Sequence, residues 1–233
     1  MVSKASIGNH CQANDAKQVI MFTEDFKYKD RFDAGLILAK ELREYKNKNG
    51  IVLAIPRGGV VVGNQIAKSL GCKLDVIISK KINPPGNREY AIGAIMPDGT
   101  ILWNHDVSAY LESSYLKQEI EGKKVAVEAQ LKKFRGRSDY DLAGKAVILV
   151  DDGIATGATA LVILKWLAKL KPKKIFVATP VVAADVYEEI KKNCDTVVAL
   201  LIPTFLHAVS QFYEKFNEVE DKEVLNILSN YMK

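Results

Sequence analysis

A chain of 233 residues, 48% apolar and 26% charged, has the length and balance of one folded domain with a substantial appendage, and it excludes wholesale disorder. The net charge of +5 is modest, and the doublets Lys123-Lys124, Lys132-Lys133 and Lys191-Lys192 fall on helical faces, so they read as solvated surface and no nucleic-acid partner is expected. The apolar runs are strand length, short of the roughly 20 residues that cross a bilayer, and the scattered Cys11, Cys72, Cys194, His10, His105 and His207 form neither a disulfide framework nor a zinc site.

Residues 1–18 are polar and lack the apolar stretch of an export signal, so the expected compartment is the reduced cytoplasm. Apolar residues recur at helical spacing from Arg31 to Glu44. Ile51–Ile55 is a β-branched strand ended by the tight loop Pro56-Arg57-Gly58-Gly59, and Val60–Leu70 follows as a helix stopped by Gly71. Leu74–Ser79 is a second buried strand. Lys80–Tyr90 (KKINPPGNREY), with two prolines and a glycine, is assigned to no regular element. Ala91–Met96 and Thr100–Trp103 flank an Asp98-Gly99 turn and predict a hairpin.

His105–Arg135 is a charged helix-forming stretch, read as an insertion at about 105–137. Strand–helix alternation then resumes with strand Ala146–Val150, helix Ala158–Leu170, strand Lys174–Thr179, helix Ala183–Lys191 and strand Thr196–Leu201. Continuous apolar strands alternating with helices predict an α/β fold with a mostly parallel sheet covered on both faces. Ligands of such sheets bind beyond the carboxyl ends of the strands. The expected organisation is an extension over 1–30, a core over 31–202, and a small hood with a final helix over 203–233.

The stretch from Ala146 to Thr159 (AVILVDDGIATGAT) carries the chemistry. It runs from buried strand through a glycine loop to a helix N-terminus, where free N–H groups and the helix dipole attract an anion. Gly153 and Gly157 let the backbone approach a ligand, and Thr156 and Thr159 add hydroxyl donors. No lysine follows the last glycine, so this is not the nucleotide P-loop. Asp151 and Asp152 would repel a phosphate but suit vicinal hydroxyls beside it, or a hydrated Mg²⁺. An anion cup next to two carboxylates describes a phosphorylated sugar with free hydroxyls.

This segment resembles the 5-phosphoribosyl-1-pyrophosphate (PRPP) fingerprint of the type I phosphoribosyltransferases, and the order of elements matches that fold from roughly 30 to 216. The resemblance implies that Asp151 and Asp152 hold the ribose 2′- and 3′-hydroxyls and Mg²⁺. It implies that Gly153 and Ala155, Thr156, Gly157, Ala158 and Thr159 bind the 5′-phosphate. Arg57, Gly58 and Gly59 are similar to the pyrophosphate loop, and Lys80 or Lys81 to the lysine that reaches pyrophosphate. Asn83, Arg88 and Glu89 fall where the family carries a mobile catalytic loop. With P-R-G-G, K-K-x-N-P-P-G-N-R-E and P-x-F-x-x-A-V (203–209), the chain is closest to members whose acceptor is unassigned.

The 6-oxopurine branch has an acid/base aspartate at the position of Ala155, and alanine transfers no proton, so that branch is disfavoured. The hood over Pro203–Phe216 is expected to receive the acceptor, with Ile202, Phe205 and Tyr213 as candidates and an aromatic core as the competing reading. The implied reaction moves the phosphoribosyl group of PRPP to a nitrogen of a nucleobase-like small molecule, with Mg²⁺-assisted loss of pyrophosphate, in a homodimer. The alternative is a regulator that senses PRPP or a nucleotide on the same fold. Retention of Arg57-Gly58-Gly59 and of the lysine doublet favours the enzyme.

Overall fold

The computed structural model describes residues 26–46, 49–87, 91–103 and 112–231. Its elements run α1 (Arg31–Glu41), β1 (Gly50–Ala54), α2 (Gly58–Leu70), β2 (Lys73–Val76), β3 (Lys80–Ile82), β4 (Gly93–Ile95), β5 (Ile101–Trp103) and α3 (Ser113–Phe134). They continue with β6 (Ala146–Val150), α4 (Ala158–Lys169), β7 (Lys174–Val181), α5 (Ala184–Lys191), β8 (Thr196–Leu201) and α6 (Asp221–Ser229). Strands β2-β1-β6-β7-β8 form one parallel sheet, in register through pairs such as Leu53↔Leu149 and Leu149↔Val177.

The reason these strands read as unbroken apolar runs is now visible. Alternate residues enter different cores on opposite faces of the sheet. Val52, Ala54, Ile148 and Val150 pack with α1, α2 and α3; Ile51, Leu53, Val147 and Leu149 pack with α4 and α5. A strand covered on both faces cannot alternate apolar with polar. Among the described residues no helix is long and apolar enough to cross a membrane.

Several expected boundaries shift. The Lys80–Tyr90 segment is not wholly irregular: Lys80–Ile82 pairs antiparallel with Gly93–Ile95, which pairs in turn with Ile101–Trp103. A three-residue strand has too little pattern to be seen until its partner is known. The second strand ends at Val76, although Ile77 and Ile78 stay buried. Helix α1 stops at Glu41 and gives way to a 3-10 turn over Arg43–Tyr45. The insertion helix begins at Ser113, and residues 104–111 lie outside the described residues.

Helix α3 buries only Val127, Leu131 and Phe134, one stripe at helical spacing, which fixes it across the hairpin and leaves Lys117, Lys132 and Lys133 in solvent. Arg135, just past its end, places both fork nitrogens 2.8 Å from the Asp75 carboxylate and lies 3.6 Å over the Tyr140 ring. At the other side the hood is stitched to the start of the described chain. Tyr28 N–H donates to Phe212 O at 2.9 Å, and Glu214 N–H donates to Tyr28 O at 2.8 Å.

Candidate functional site

Strand β6 ends at Val150, and the two carboxylates follow at once. Ile154 then ties the loop to the next strand, its N–H donating to Val181 O at 2.9 Å and its carbonyl accepting from Ala183 N–H at 3.1 Å. With Ile154 buried, Ala155 and Thr156 are held outward, and Thr156 is exposed. Gly157 turns the chain into α4 at φ +68°, where a Cβ would also lie 2.5 Å from Val186 Cγ1, so backbone and space both require glycine. No side chain caps α4. Its first N–H groups therefore lack intrahelical acceptors and are free to take an anion.

The Pro56–Arg57 peptide is cis, and α2 starts at Gly58 without a side-chain cap. Gly58 abuts the acidic pair: a Cβ there would lie 1.9 Å from Asp152 Oδ2. Gly59 would meet Val150 O at 2.8 Å and Asp151 Cα at 3.1 Å. The loop after β1 and the loop after β6 are thus one surface, in contact through glycines because nothing larger fits.

A cavity of about 540 Å³ opens at these strand ends, lined by Arg57, Ser79, Lys80, Gln130, Thr159 and Asp221 among others. It gathers residues from the segments that follow β1 and β2 and from β3, α3, α4 and α6. Lys80 lines it and Lys81 does not, because successive side chains of a strand point to opposite faces. Of the doublet, Lys80 is the one placed at the site. Burial, and then the Lys123 cation, hold its ammonium below the usual lysine value, with Arg57 reinforcing and Asp221 opposing. A larger open groove of about 690 Å³ lies between the hairpin and α3 and contains none of the expected site residues.

The carboxylates are not equivalent. Burial, and then the neighbouring charge of Asp152, push the Asp151 carboxyl well above the usual carboxylate range. Asp152 instead has a dedicated cation, with Arg31 Nε 2.5 Å from its Oδ2. Tyr213 donates its hydroxyl to Asp152 O at 2.6 Å. Its ring is buried, with centroids 5.3 Å from Tyr28 and 5.0 Å from Phe216. Tyr213 is therefore a brace for the acidic pair, and the expectation that it stacks on an acceptor is corrected. Phe205 is 80% exposed and Ile202 half-buried, so these two remain accessible beyond β8.

Arg57 is engaged from an unexpected quarter. Its guanidinium bonds Glu218 and lies 3.7 Å from Asp221 Oδ1, while Lys133 Nζ sits 2.5 Å from the other Asp221 oxygen. Asn83, expected in the mobile loop, is buried just past β3, its carbonyl accepting from Tyr115 Oη at 2.9 Å. Arg88 and Glu89 lie outside the described residues. Sequence reasoning missed Arg31, Gln130, Glu218 and Asp221. None stands in a local motif, and only the charge of the acidic pair hints that a partner such as Arg31 must exist.

Against this geometry, residues 32–217 match the family model described as a phosphoribosyl transferase domain. A Mycobacterium tuberculosis protein provisionally named a phosphoribosyl transferase is 35% identical over 204 residues, covering 86% of this chain and 46% of that protein. The chain therefore spans about half the length of the curated relatives it matches. A Thermus thermophilus protein of known crystal structure is 35% identical and superposes with a TM-score of 0.77, over 88% of this chain and 99% of that one.

Proposed function

Starting from the premise that the chain belongs to the phosphoribosyl transferase domain family, we propose that it moves the 5-phosphoribosyl group of PRPP to a ring nitrogen of a nucleobase-like acceptor. One observation carries this reading. The acidic pair, the uncapped N-terminus of α4 and the Arg57–Gly59 loop meet at the carboxyl ends of adjacent parallel strands, where Arg57, Lys80 and Thr159 line one cavity. An uncapped helix with two threonines suits a dianionic 5′-phosphate, and the carboxylates beside it suit the ribose hydroxyls. Arg57, Lys80 and the N–H groups of Gly58 and Gly59 suit the pyrophosphate.

The bond from the anomeric carbon to pyrophosphate oxygen breaks, a bond from that carbon to the acceptor nitrogen forms, and the nitrogen's proton leaves to solvent. The chain's part is to align the partners and to neutralise charge that develops on the leaving group. Asp151 is the carboxylate that would hold Mg²⁺, with the ion's other ligands coming from the donor and water. Bound there, Mg²⁺ offsets the negative charge of pyrophosphate. Ile202 and exposed Phe205 offer a flat acceptor an apolar edge and a ring to stack on.

The test is pyrophosphate release from PRPP and Mg²⁺ across a panel of purine and pyrimidine bases, read beside calorimetric PRPP binding. Arg57→Ala should cut turnover roughly 10²–10³-fold while changing donor affinity less, as for other preorganised charge-stabilising donors. Tight PRPP binding without release of pyrophosphate for any acceptor would replace the enzyme with a sensor. No PRPP binding would overturn the donor site itself.

A further inference from the structure

Arg31 opens α1, well upstream of the glycine-rich segment, yet its side chain is only 11% exposed and ends at the acidic pair. Three contacts hold it. Nε donates to Asp152 Oδ2 at 2.5 Å, one terminal nitrogen donates to Asn217 O at 2.7 Å, and the guanidinium carbon lies 3.7 Å over the Phe216 ring. The Asp152 oxygen it grips is the one walled by Gly58, whose Cβ would fall 1.9 Å away. The backbone of Asp152 is fixed independently by the Tyr213 hydroxyl.

These contacts leave Asp152 little freedom. One carboxylate oxygen is filled by the guanidinium and closed off by the α2 loop, so the carboxylate plane is set and the second oxygen is the one left for a ligand. A planar guanidinium with fixed donor directions sets such a plane better than an ammonium can. Two carboxylates adjacent in sequence would otherwise repel and splay, and a nearby cation is the direct remedy.

We propose that Arg31 is a positioning residue of the donor site: it aims the free oxygen of Asp152 at a ribose hydroxyl. The proposal rests on the donor-site reading above and adds a residue that lies outside the fingerprint. A purely structural arginine would tie the hood to α1, and its loss would weaken every ligand alike. A positioning arginine acts through one hydroxyl contact, so its loss is selective.

The experiment measures calorimetric affinity of the full chain for ribose 5-phosphate and for its 2-deoxy and 3-deoxy forms. The wild type should prefer the intact sugar over at least one deoxy form by about tenfold, the worth of one hydrogen bond to a charged acceptor. Arg31→Met should collapse that ratio toward one while leaving affinity for the deoxy form within about threefold, since the phosphate contacts are untouched. Arg31→Lys should restore part of the ratio. Phe216→Leu serves as control, loosening the hood while keeping the Arg31–Asp152 bond, and should retain the ratio. Undiminished discrimination in a folded Arg31→Met or, if that variant fails to fold, in Arg31→Lys overturns the proposal. So does an equal loss in Phe216→Leu. A wild type with no discrimination at all overturns the donor-site reading, and this proposal with it.

Discussion

Replacing Gly58 with alanine is the sharpest perturbation of the joint between the two loops. The added methyl would stand 1.9 Å from Asp152 Oδ2, 2.5 Å from its Cγ and 2.7 Å from Arg31 Nε. Non-bonded heavy atoms settle at roughly 3.5 Å, so the first contact must open by about 1.6 Å. A free carboxylate could swing aside at little cost. This one is pinned by Arg31 at 2.5 Å, and moving it forfeits a charge-assisted hydrogen bond of about 1.5–3 kcal/mol. Alanine gains at most about 1 kcal/mol over glycine in a helix, and less in its first turn, so the loss wins. The net is roughly 1–2 kcal/mol of stability, a fall in Tm of about 2–8 °C for a chain of this size. Donor affinity should fall further, by at least about tenfold, because the displaced group is the one proposed to face the sugar. Gly122→Ala is the control, since it sits in α3 with nothing within 4 Å of its Cβ, and it should hold or raise Tm. Scanning calorimetry and PRPP titration of both variants decide the matter. Wild-type melting and binding in Gly58→Ala would refute the pinned carboxylate.

On the proposed reading Glu218 competes with pyrophosphate for Arg57, so Glu218→Gln should tighten PRPP binding up to about fivefold, the worth of an exposed ion pair; weaker binding would make Glu218 part of the binding site instead. Arg135→Ala removes the two-pronged partner of Asp75, leaving it Arg137 at 3.4 Å and the Val76 N–H, and should lower stability by about 1.5–3 kcal/mol in denaturant melts while leaving PRPP affinity within twofold. A loss below about 0.5 kcal/mol would mean that Arg137 and water satisfy Asp75. Burial pushes the Cys72 thiol up to about 11, so its thiolate is about one part in a thousand at pH 8 and alkylation should run about 100-fold slower than in the denatured chain, followed by peptide-resolved mass spectrometry. Because the folded state holds that proton more tightly, stability from this group is complete below the unfolded pKa near 9 and falls as pH rises toward 11.

What sequence alone determined is what is written contiguously. Ala146–Thr159 carries a buried strand, a glycine turn and a helix start in order, and the signals that make it readable are local: chirality at Gly157, period along β6, unpaired N–H groups at α4. The five parallel strands were legible for the same reason, since burial on both faces leaves an apolar run that needs no partner to be recognised. Tertiary structure decided everything that depends on two distant segments meeting. Strand β3 exists because Gly93–Ile95 lies beside it, and that pairing separates Lys80 from Lys81 by face. Tyr213 was an aromatic residue free to stack until its hydroxyl was found on Asp152, 61 positions away. Arg31 and Asp152 are 121 positions apart, and Arg57 and Glu218 161 apart. Periodicity and turn chemistry report what a residue does to its own backbone and its near neighbours. A charge's partner is chosen by the path of the whole chain, and only the folded molecule fixes that path.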